Sequence, residues 1–134
     1  MIAALSALMI VTAIGVIAYW VDFYTRGTVH VVEDEWYIKF ERAFPPADLW
    51  MAACALAGAV GLLTEQSYGV VFALLAAGSL IFLALMDITF GVQNGLYRLV
   101  RTSREIKAEL FINLWTLGFG TALIVCLCSR TALL

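Results

Sequence analysis

Four long apolar runs constrain this chain more than any other feature of its sequence. They extend from Ile2 to Val21, Leu49 to Leu63, Gly69 to Met86 and Leu110 to Cys128. A helix needs about 20 apolar residues to cross roughly 30 Å of hydrocarbon. Each run is close to that length, and the second reaches it if its helix begins at Pro46. The sequence therefore predicts an all-α integral membrane four-helix bundle, in one domain over residues 1–134, with spans near 2–22, 46–63, 69–94 and 110–128.

The amino-acid composition is also typical of an integral membrane protein. The apolar fraction is 63% and the mean hydropathy is +0.96, whereas an ordinary soluble domain has an apolar fraction nearer one half. A net charge of −2 excludes nucleic acid as a partner, because phosphate binding needs a concentrated basic surface. The first expected partner is the lipid bilayer.

Nearly all of the basic residues lie in the two longer loops that connect the apolar runs. Those between the first and second runs are Arg26, Lys39 and Arg42, and those between the third and fourth are Arg98, Arg101, Arg104 and Lys107. The two termini and the short 64–68 turn add only Arg130. By the positive-inside rule, both longer loops are expected in the cytoplasm and both termini outside. The basic residues of the second loop can also contact anionic lipid headgroups.

The first loop has an amphipathic pattern. Acidic residues at 33–35 precede the aromatic residues Trp36, Phe40 and Phe44, which recur every four positions and share one helical face. We therefore expect a short interfacial helix in this loop, with Pro45 and Pro46 turning the chain into the second span.

Small residues repeat every four positions on three spans. The repeats are Ala53, Ala57 and Gly61; Ala73 and Ala77; and Gly118 and Ala122. Such faces let helix backbones approach closely. They predict either close packing within the bundle or a homodimer contact.

Asp87 is the strongest candidate for a functional residue, because a charged group within a span is costly. It lies about 27 Å along the third span, near the expected cytoplasmic boundary. Asn94 follows on the same helical face, and Gln93 and Tyr97 lie on the adjacent strip. This polar face is expected to look into the bundle.

Other polar residues are expected at the same depth on the remaining spans. Asp22 ends the first span, Asp48 begins the second beside Trp50, and Asn113 lies one turn into the fourth. The sequence thus predicts a polar cavity with aromatic walls that binds a cation, a proton or an amine. The predicted ligand-binding residues are Asp87, Asn94, Gln93, Asp22, Asp48, Asn113, Trp50 and Tyr97.

Each of these residues also has a structural interpretation. Asp22 can pair with Arg26 one turn later, and Asp48 can lie near the positive end of its own helix dipole. Asn113 can act as an interhelical hydrogen-bonding residue, and the aromatic residues can form an interfacial belt. Asp87 can pair structurally with Arg98, its nearest obvious cation in sequence, which lies three turns away.

Enzyme motifs are missing from the sequence. It contains no nucleophile with a plausible histidine partner, no glycine-rich phosphate loop and no H-E-x-x-H. His30 with Glu33 and Asp34 has too few ligands for a metal site. No catalytic residue, no metal ligand and no particular cofactor is predicted.

Two stretches carry a family resemblance, residues 44–50 (FPPADLW) and 85–97 (LMDITFGVQNGLY). They resemble segments of small, uncharacterised bacterial four-span membrane proteins. The resemblance implies that Asp48, Asp87, Gln93, Asn94 and Tyr97 share a site. A fainter likeness is to the four-span sterol-isomerase and sigma-2-receptor group, but this chain lacks the acidic residue within the second span and the histidine of that pocket.

Three hypotheses of function follow. The first is a non-catalytic membrane protein, either an accessory subunit of a larger membrane complex or a binder of a small lipophilic or cationic ligand near the cytoplasmic face. The second is a proton- or cation-coupled small transporter that acts as a homodimer, with Asp87 as the titrating group. The third is a membrane-embedded lipid-modifying enzyme of the isomerase kind.

Overall fold

The fold is an all-α bundle, seen in a computed structural model that describes residues 1–30 and 32–129. Its helices are α1 (Ile2–Thr25), α2 (Glu35–Glu41), α3 (Pro45–Leu63), α4 (Tyr68–Gln93) and α5 (Arg104–Cys128), with a 3₁₀ turn at Leu96–Leu99. Four helical segments, which contain α1, α3, α4 and α5, are long and apolar enough to cross a membrane. The predicted fold class is confirmed. Arg130, used in the topology prediction, lies outside the described residues.

Helices that follow one another in sequence are neighbours in the bundle. α1 packs on α3, α3 on α4, and α4 on α5. The first and last helices are also in contact. The Trp115 indole of α5 donates a 3.2 Å hydrogen bond to the Thr12 hydroxyl of α1. We call the end where residues 64–67 join α3 to α4 the turn end. The opposite end, where α1 and α4 end and α3 and α5 begin, is the loop end.

Glycines allow the closest approach, between α3 and α4. A Cβ atom on Gly61 would lie 2.5 Å from the Gly69 Cα, and one on Gly58 would lie 2.7 Å from the Ala73 backbone nitrogen. Both distances are too short for a side chain, so the two backbones are in direct contact. This is how helices pack in lipid, where close van der Waals contact replaces the hydrophobic effect between them.

The small-residue faces are only partly as predicted. Ala73 and Ala77 are fully buried against the core, as expected. Ala53, Gly118 and Ala122 are instead exposed. The buried alanines of α3 are Ala52, Ala55 and Ala59. Alanine occurs so often on α3 that it covers two faces, and spacing alone does not show which face meets a neighbour.

Most of the outward surface of the long helices is apolar. Exposed large side chains include Ile14 on α1, Val60 on α3, Phe82 on α4 and Phe111 on α5. A soluble monomer rarely exposes apolar patches of this extent. The surface is therefore suited to contact with lipid.

Helix α2 packs across the loop end of the bundle. The Phe40 ring stacks on Phe90 of α4, with ring centres 3.6 Å apart and an interplanar angle of 5°. The predicted aromatic face thus contacts the end of α4, and the predicted short helix is present. Its other face, with Tyr37 and Glu41, is buried.

The fourth long helix begins earlier than its apolar run. α5 begins at Arg104, because the Ser103 hydroxyl accepts a 3.2 Å hydrogen bond from the Ile106 backbone N–H and caps the first turn. The extra turns carry Glu109 into the bundle.

Candidate functional site

Four carboxyl groups converge at the loop end, one each from α2, α3, α4 and α5. We call Glu41, Asp48, Asp87 and Glu109 the acidic cluster. The Glu41 carboxyl interacts electrostatically with the other three, and that of Asp87 also interacts with those of Glu109 and Asp48. The bundle therefore brings together carboxyl groups that lie far apart in sequence.

Aromatic side chains complete the surroundings of the acidic cluster. The Tyr19 hydroxyl on α1 interacts with all four carboxyl groups, and the Tyr37 hydroxyl interacts with the Glu41 carboxyl one turn later on α2. The Trp20 indole N–H donates a 2.7 Å hydrogen bond to the Asp48 carboxylate. Helix α1 thus contributes aromatic rings but no carboxyl group.

The acidic cluster is screened from the outside on the α2 side. Glu41 is 7% exposed and Tyr37 is 1% exposed. Glu109 Oε2 is buried without a hydrogen-bond partner, and Asp87 forms no hydrogen bond with the described residues. Polar groups placed in this way cost free energy unless a proton or a ligand compensates them.

The basic side chains of the loop end form no ion pair with the acidic cluster among the described residues. All seven basic residues of the two longer loops are exposed. Within residues 1–30 and 32–129, the ion pairs are His30 with Glu33 and Lys39 with Glu35. The four clustered carboxyl groups therefore have no basic partner in the described part of the chain, although basic residues are abundant nearby.

Tyr97 and Asn113 border the acidic cluster. The Asn113 side-chain amide donates a hydrogen bond of 3.4 Å to the Tyr97 hydroxyl, and Asn113 is 1% exposed. Burial raises the pKa of Tyr97, as do the nearby Glu109 and Asp87, while the Asn113 hydrogen bond lowers it. The Tyr97 ring fits against Gly91, where a Cβ atom would lie 2.8 Å from the ring.

The structure separates the eight predicted site residues into two groups. Asp48, Asp87, Asn113 and Tyr97 come together at the acidic cluster. Gln93 and Asn94 are exposed at the end of α4, and the Asn94 amide donates to the Phe90 carbonyl at 2.9 Å.

Asp22 and Trp50 also lie apart from the acidic cluster. The Asp22 carboxylate accepts hydrogen bonds from the Thr28 hydroxyl at 2.6 Å and from the Val29 backbone N–H at 3.1 Å. It therefore orders the turn after α1 and forms no ion pair with Arg26. Trp50 is 56% exposed and lines an apolar groove of about 360 Å³ on the outer surface of α3 and α4.

Sequence reasoning missed two members of the acidic cluster. Glu41 follows Tyr37 by four residues, so the pair forms a buried strip of α2 adjacent to the aromatic face. Glu109 precedes Asn113 by four residues and Thr116 by seven, which extends the polar face of α5 by one turn. Both periodic signals are present in the sequence, but the first lies in the predicted interfacial helix, outside the four spans, and the second begins just before the predicted fourth span.

A metal ion does not match this arrangement. Among the described residues, no group of three or more histidine, cysteine, aspartate or glutamate side chains is placed to hold one. His30 lies outside the acidic cluster. Its Nε2 donates to the Phe23 carbonyl at 3.1 Å, and its Nδ1 lies 3.3 Å from Glu33.

Comparison with protein-family models, with curated proteins and with solved structures finds no match to this chain. The acidic cluster is therefore the feature of this chain that points to a function.

Proposed function

We propose that this chain is a non-catalytic membrane protein that binds a small organic cation, with an apolar part, at the acidic cluster. The observation that supports this proposal is the arrangement of charge at the loop end. Four carboxyl groups, one buried and three half-buried, have no basic partner among the described residues, while all seven basic side chains of that end are exposed. A bound cation would offset the cost of burying these carboxylates.

The surroundings favour an organic cation over a metal ion. The carboxyl groups interact with one another, but no three of the described acidic, histidine or cysteine side chains are placed to ligate one metal ion. Aromatic rings stand beside the carboxylates, notably Trp20 and Tyr19, whose centroids are 5.2 Å apart. Carboxylates and aromatic faces together suit an amine with hydrocarbon substituents.

Octylamine is a suitable probe because it carries a positive charge on an alkyl chain. Octanol has the same alkyl chain without the charge and is its matched control. We expect purified protein in nanodiscs to bind octylammonium in isothermal titration calorimetry and to bind octanol much more weakly. Asp87→Asn and Glu41→Gln are each expected to weaken octylammonium binding roughly tenfold, the scale of one lost charge-assisted hydrogen bond.

Matched controls exist on the same or neighbouring helices. Glu35→Gln removes an exposed carboxylate from α2, and Glu105→Gln removes one from α5, and neither residue belongs to the acidic cluster. Both variants are expected to bind octylammonium as the wild type does. Equal binding of octylammonium and octanol, or equal losses in all four variants, would exclude the acidic cluster as a cation site.

A second candidate, a proton-coupled transporter, is favoured by one feature of Asp87. Its carboxyl has neither a hydrogen-bond partner nor an ion-pair partner among the described residues, so a proton can bind and leave without breaking a native contact. A four-helix unit lacks the paired repeats of many transporters, so this function would require a homodimer. In proteoliposomes carrying a pH-sensitive dye, Asp87→Asn should abolish proton flux, and unchanged flux would eliminate this candidate.

We also propose an orientation of the chain in the membrane and a set of protein partners. We place the loop end in the cytoplasm because seven basic residues lie there. A cysteine introduced at Lys39 should react with an impermeant maleimide only in inside-out vesicles.

Native mass spectrometry of gently extracted protein tests whether the chain belongs to a larger complex or a homodimer. Detection of a free monomer would exclude both partners.

A further inference from the structure

A second polar site lies beside the acidic cluster and is separate from it. A cleft of about 340 Å³ is formed where the end of α1, the following turn and α2 meet. Its lining includes Arg26 and Arg42 but none of the four clustered carboxyl residues. Whatever occupies the cleft is therefore independent of the cation proposed above.

The unbalanced charge of the cleft is positive. Neither the Arg26 nor the Arg42 side chain forms an ion pair or a hydrogen bond with the described residues, and both are exposed. The acidic residue of the cleft, Glu33, faces His30 Nδ1 at 3.3 Å. Two guanidinium groups are thus left without an anionic partner at a concave surface. Guanidinium binds phosphate through paired N–H donors, which is why unpaired arginines in a cleft indicate such a ligand.

We propose that this cleft binds the phosphate of an anionic phospholipid between Arg26 and Arg42.

The surface of α1 favours a lipid over free phosphate. Tyr24 lines the cleft and shares a helical face with Val21, Ile17 and Ile14, which are spaced by three, four and three residues. All four side chains are exposed. This apolar strip extends about 15 Å from the cleft along α1, so it offers a path for an acyl chain attached to the bound phosphate. A free phosphate ion makes no use of such a strip.

The test compares two pairs of arginines at the same end of the molecule. The double variant Arg26→Gln/Arg42→Gln removes the cleft charges, and Arg98→Gln/Arg101→Gln removes two exposed charges that do not line the cleft. Each protein is reconstituted in nanodiscs of phosphatidylcholine with a minor fraction of phosphatidylglycerol. Native mass spectrometry after release from the disc then measures the phosphatidylglycerol retained.

Retention by the cleft variant is expected to fall roughly a hundredfold, since each charge-assisted hydrogen bond from an arginine to the phosphate contributes roughly a factor of ten. The control pair should lose much less lipid than the cleft pair, because Arg98 and Arg101 do not line the cleft and contribute only diffuse surface charge. Because all four arginines are exposed, both variants are expected to fold, and circular dichroism checks this. Arg26→Lys/Arg42→Lys keeps the charge but loses the paired donors, so it should retain less lipid than the wild type and more than the glutamine variant.

Three outcomes would overturn the proposal. Equal losses in the two glutamine pairs would mean that diffuse surface charge attracts the lipid. Undiminished retention in the cleft variant would mean that the arginines bind nothing there. Displacement of the retained phosphatidylglycerol by inorganic phosphate, at a concentration where the same molarity of chloride has no effect, would assign the cleft to free phosphate.

Discussion

The two ends of the bundle are built on different principles. Towards the turn end, α3 and α4 meet through glycine and alanine backbones, with Gly61 and Gly69 in direct contact. At the loop end, Glu41, Asp87 and Glu109 are gathered beneath α2 without a basic partner among the described residues. One end is shaped by close packing and the other by polar groups whose burial costs stability.

The difference between the two ends shows that selection for stability alone would have given another sequence at the loop end. Replacing buried charged groups by apolar residues is often neutral or stabilising, whereas adding volume at a backbone contact is not. The turn-end contact is therefore explained by the fold. The acidic cluster needs a functional explanation, since the described residues offer no hydrogen-bond partner to the Asp87 carboxyl or to Glu109 Oε2.

The largest effect is expected from Gly61→Ala, which tests the packed end. Its Cβ would lie 2.5 Å from the Gly69 Cα, so α3 and α4 must move apart. We expect a loss of about 3 kcal/mol in the free energy of unfolding, at the upper part of the range for overpacking. Unfolding in mixed micelles measures it. Gly118→Ala is the control, because its Cβ would have nothing within 4 Å, and equal losses would mean that the contact is not tight.

Phe90→Ala tests how α2 is held over the loop end. The ring stacks on Phe40 at 3.6 Å and lies 5.7 Å from Trp36. We expect a loss of about 2 kcal/mol, below the range for a fully buried phenylalanine because Phe90 is only partly buried. Hydrogen exchange should rise in α2 more than in α3. Phe82→Ala on the same helix removes an exposed ring and should leave exchange in α2 unchanged.

Trp20→Phe tests the one strong hydrogen bond to the acidic cluster. The substitution keeps an aromatic ring but removes the 2.7 Å hydrogen bond to Asp48. The free energy of unfolding should fall by about 1.5 kcal/mol, as for other hydrogen bonds to a charged group. Trp36→Phe, which changes a half-exposed ring, should have less effect. The reverse order would show that Asp48 does not depend on Trp20.

The smallest effect on the free energy of unfolding is expected from Asp87→Asn. Whether this variant is more or less stable than the wild type decides whether Asp87 has a structural role. Because Asp87 has no partner among the described residues, the variant should be as stable as the wild type or up to about 1 kcal/mol more stable. Asp22→Asn should instead lose about 1 kcal/mol, since Asp22 accepts two hydrogen bonds. A larger loss for Asp87→Asn than for Asp22→Asn would make the acidic cluster structural and remove the functional argument.

The fold was predictable to the extent that it depends on length and hydropathy. The four long helices follow from apolar runs near the length of a membrane span, and the beginning of α3 follows from the proline pair at 45 and 46. The start of α5 was not predicted, because its first turns are polar and their helical state depends on the Ser103 cap.

The acidic cluster was predictable only in part. Asp48 and Asp87 stand out because each is a charge next to or inside an apolar run, which a sequence shows directly. Glu41 and Glu109 lie among other charged residues, and only the packing of α2 and α5 buries Glu41 and the Oε2 atom of Glu109. Asp22 has the same sequence context as Asp48, but it turns towards Thr28 and lies outside the acidic cluster.

The sequence by itself determined the number of long helices, their apolar outer surfaces and the excess of basic residues in two loops, because these properties depend on composition along a single segment. Tertiary structure decided which small residues meet, which carboxyl groups turn inward and which arginines line a cleft. These outcomes depend on the rotation of each helix about its own axis. That rotation is set by contacts between segments distant in sequence, such as Gly61 with Gly69 and Trp20 with Asp48.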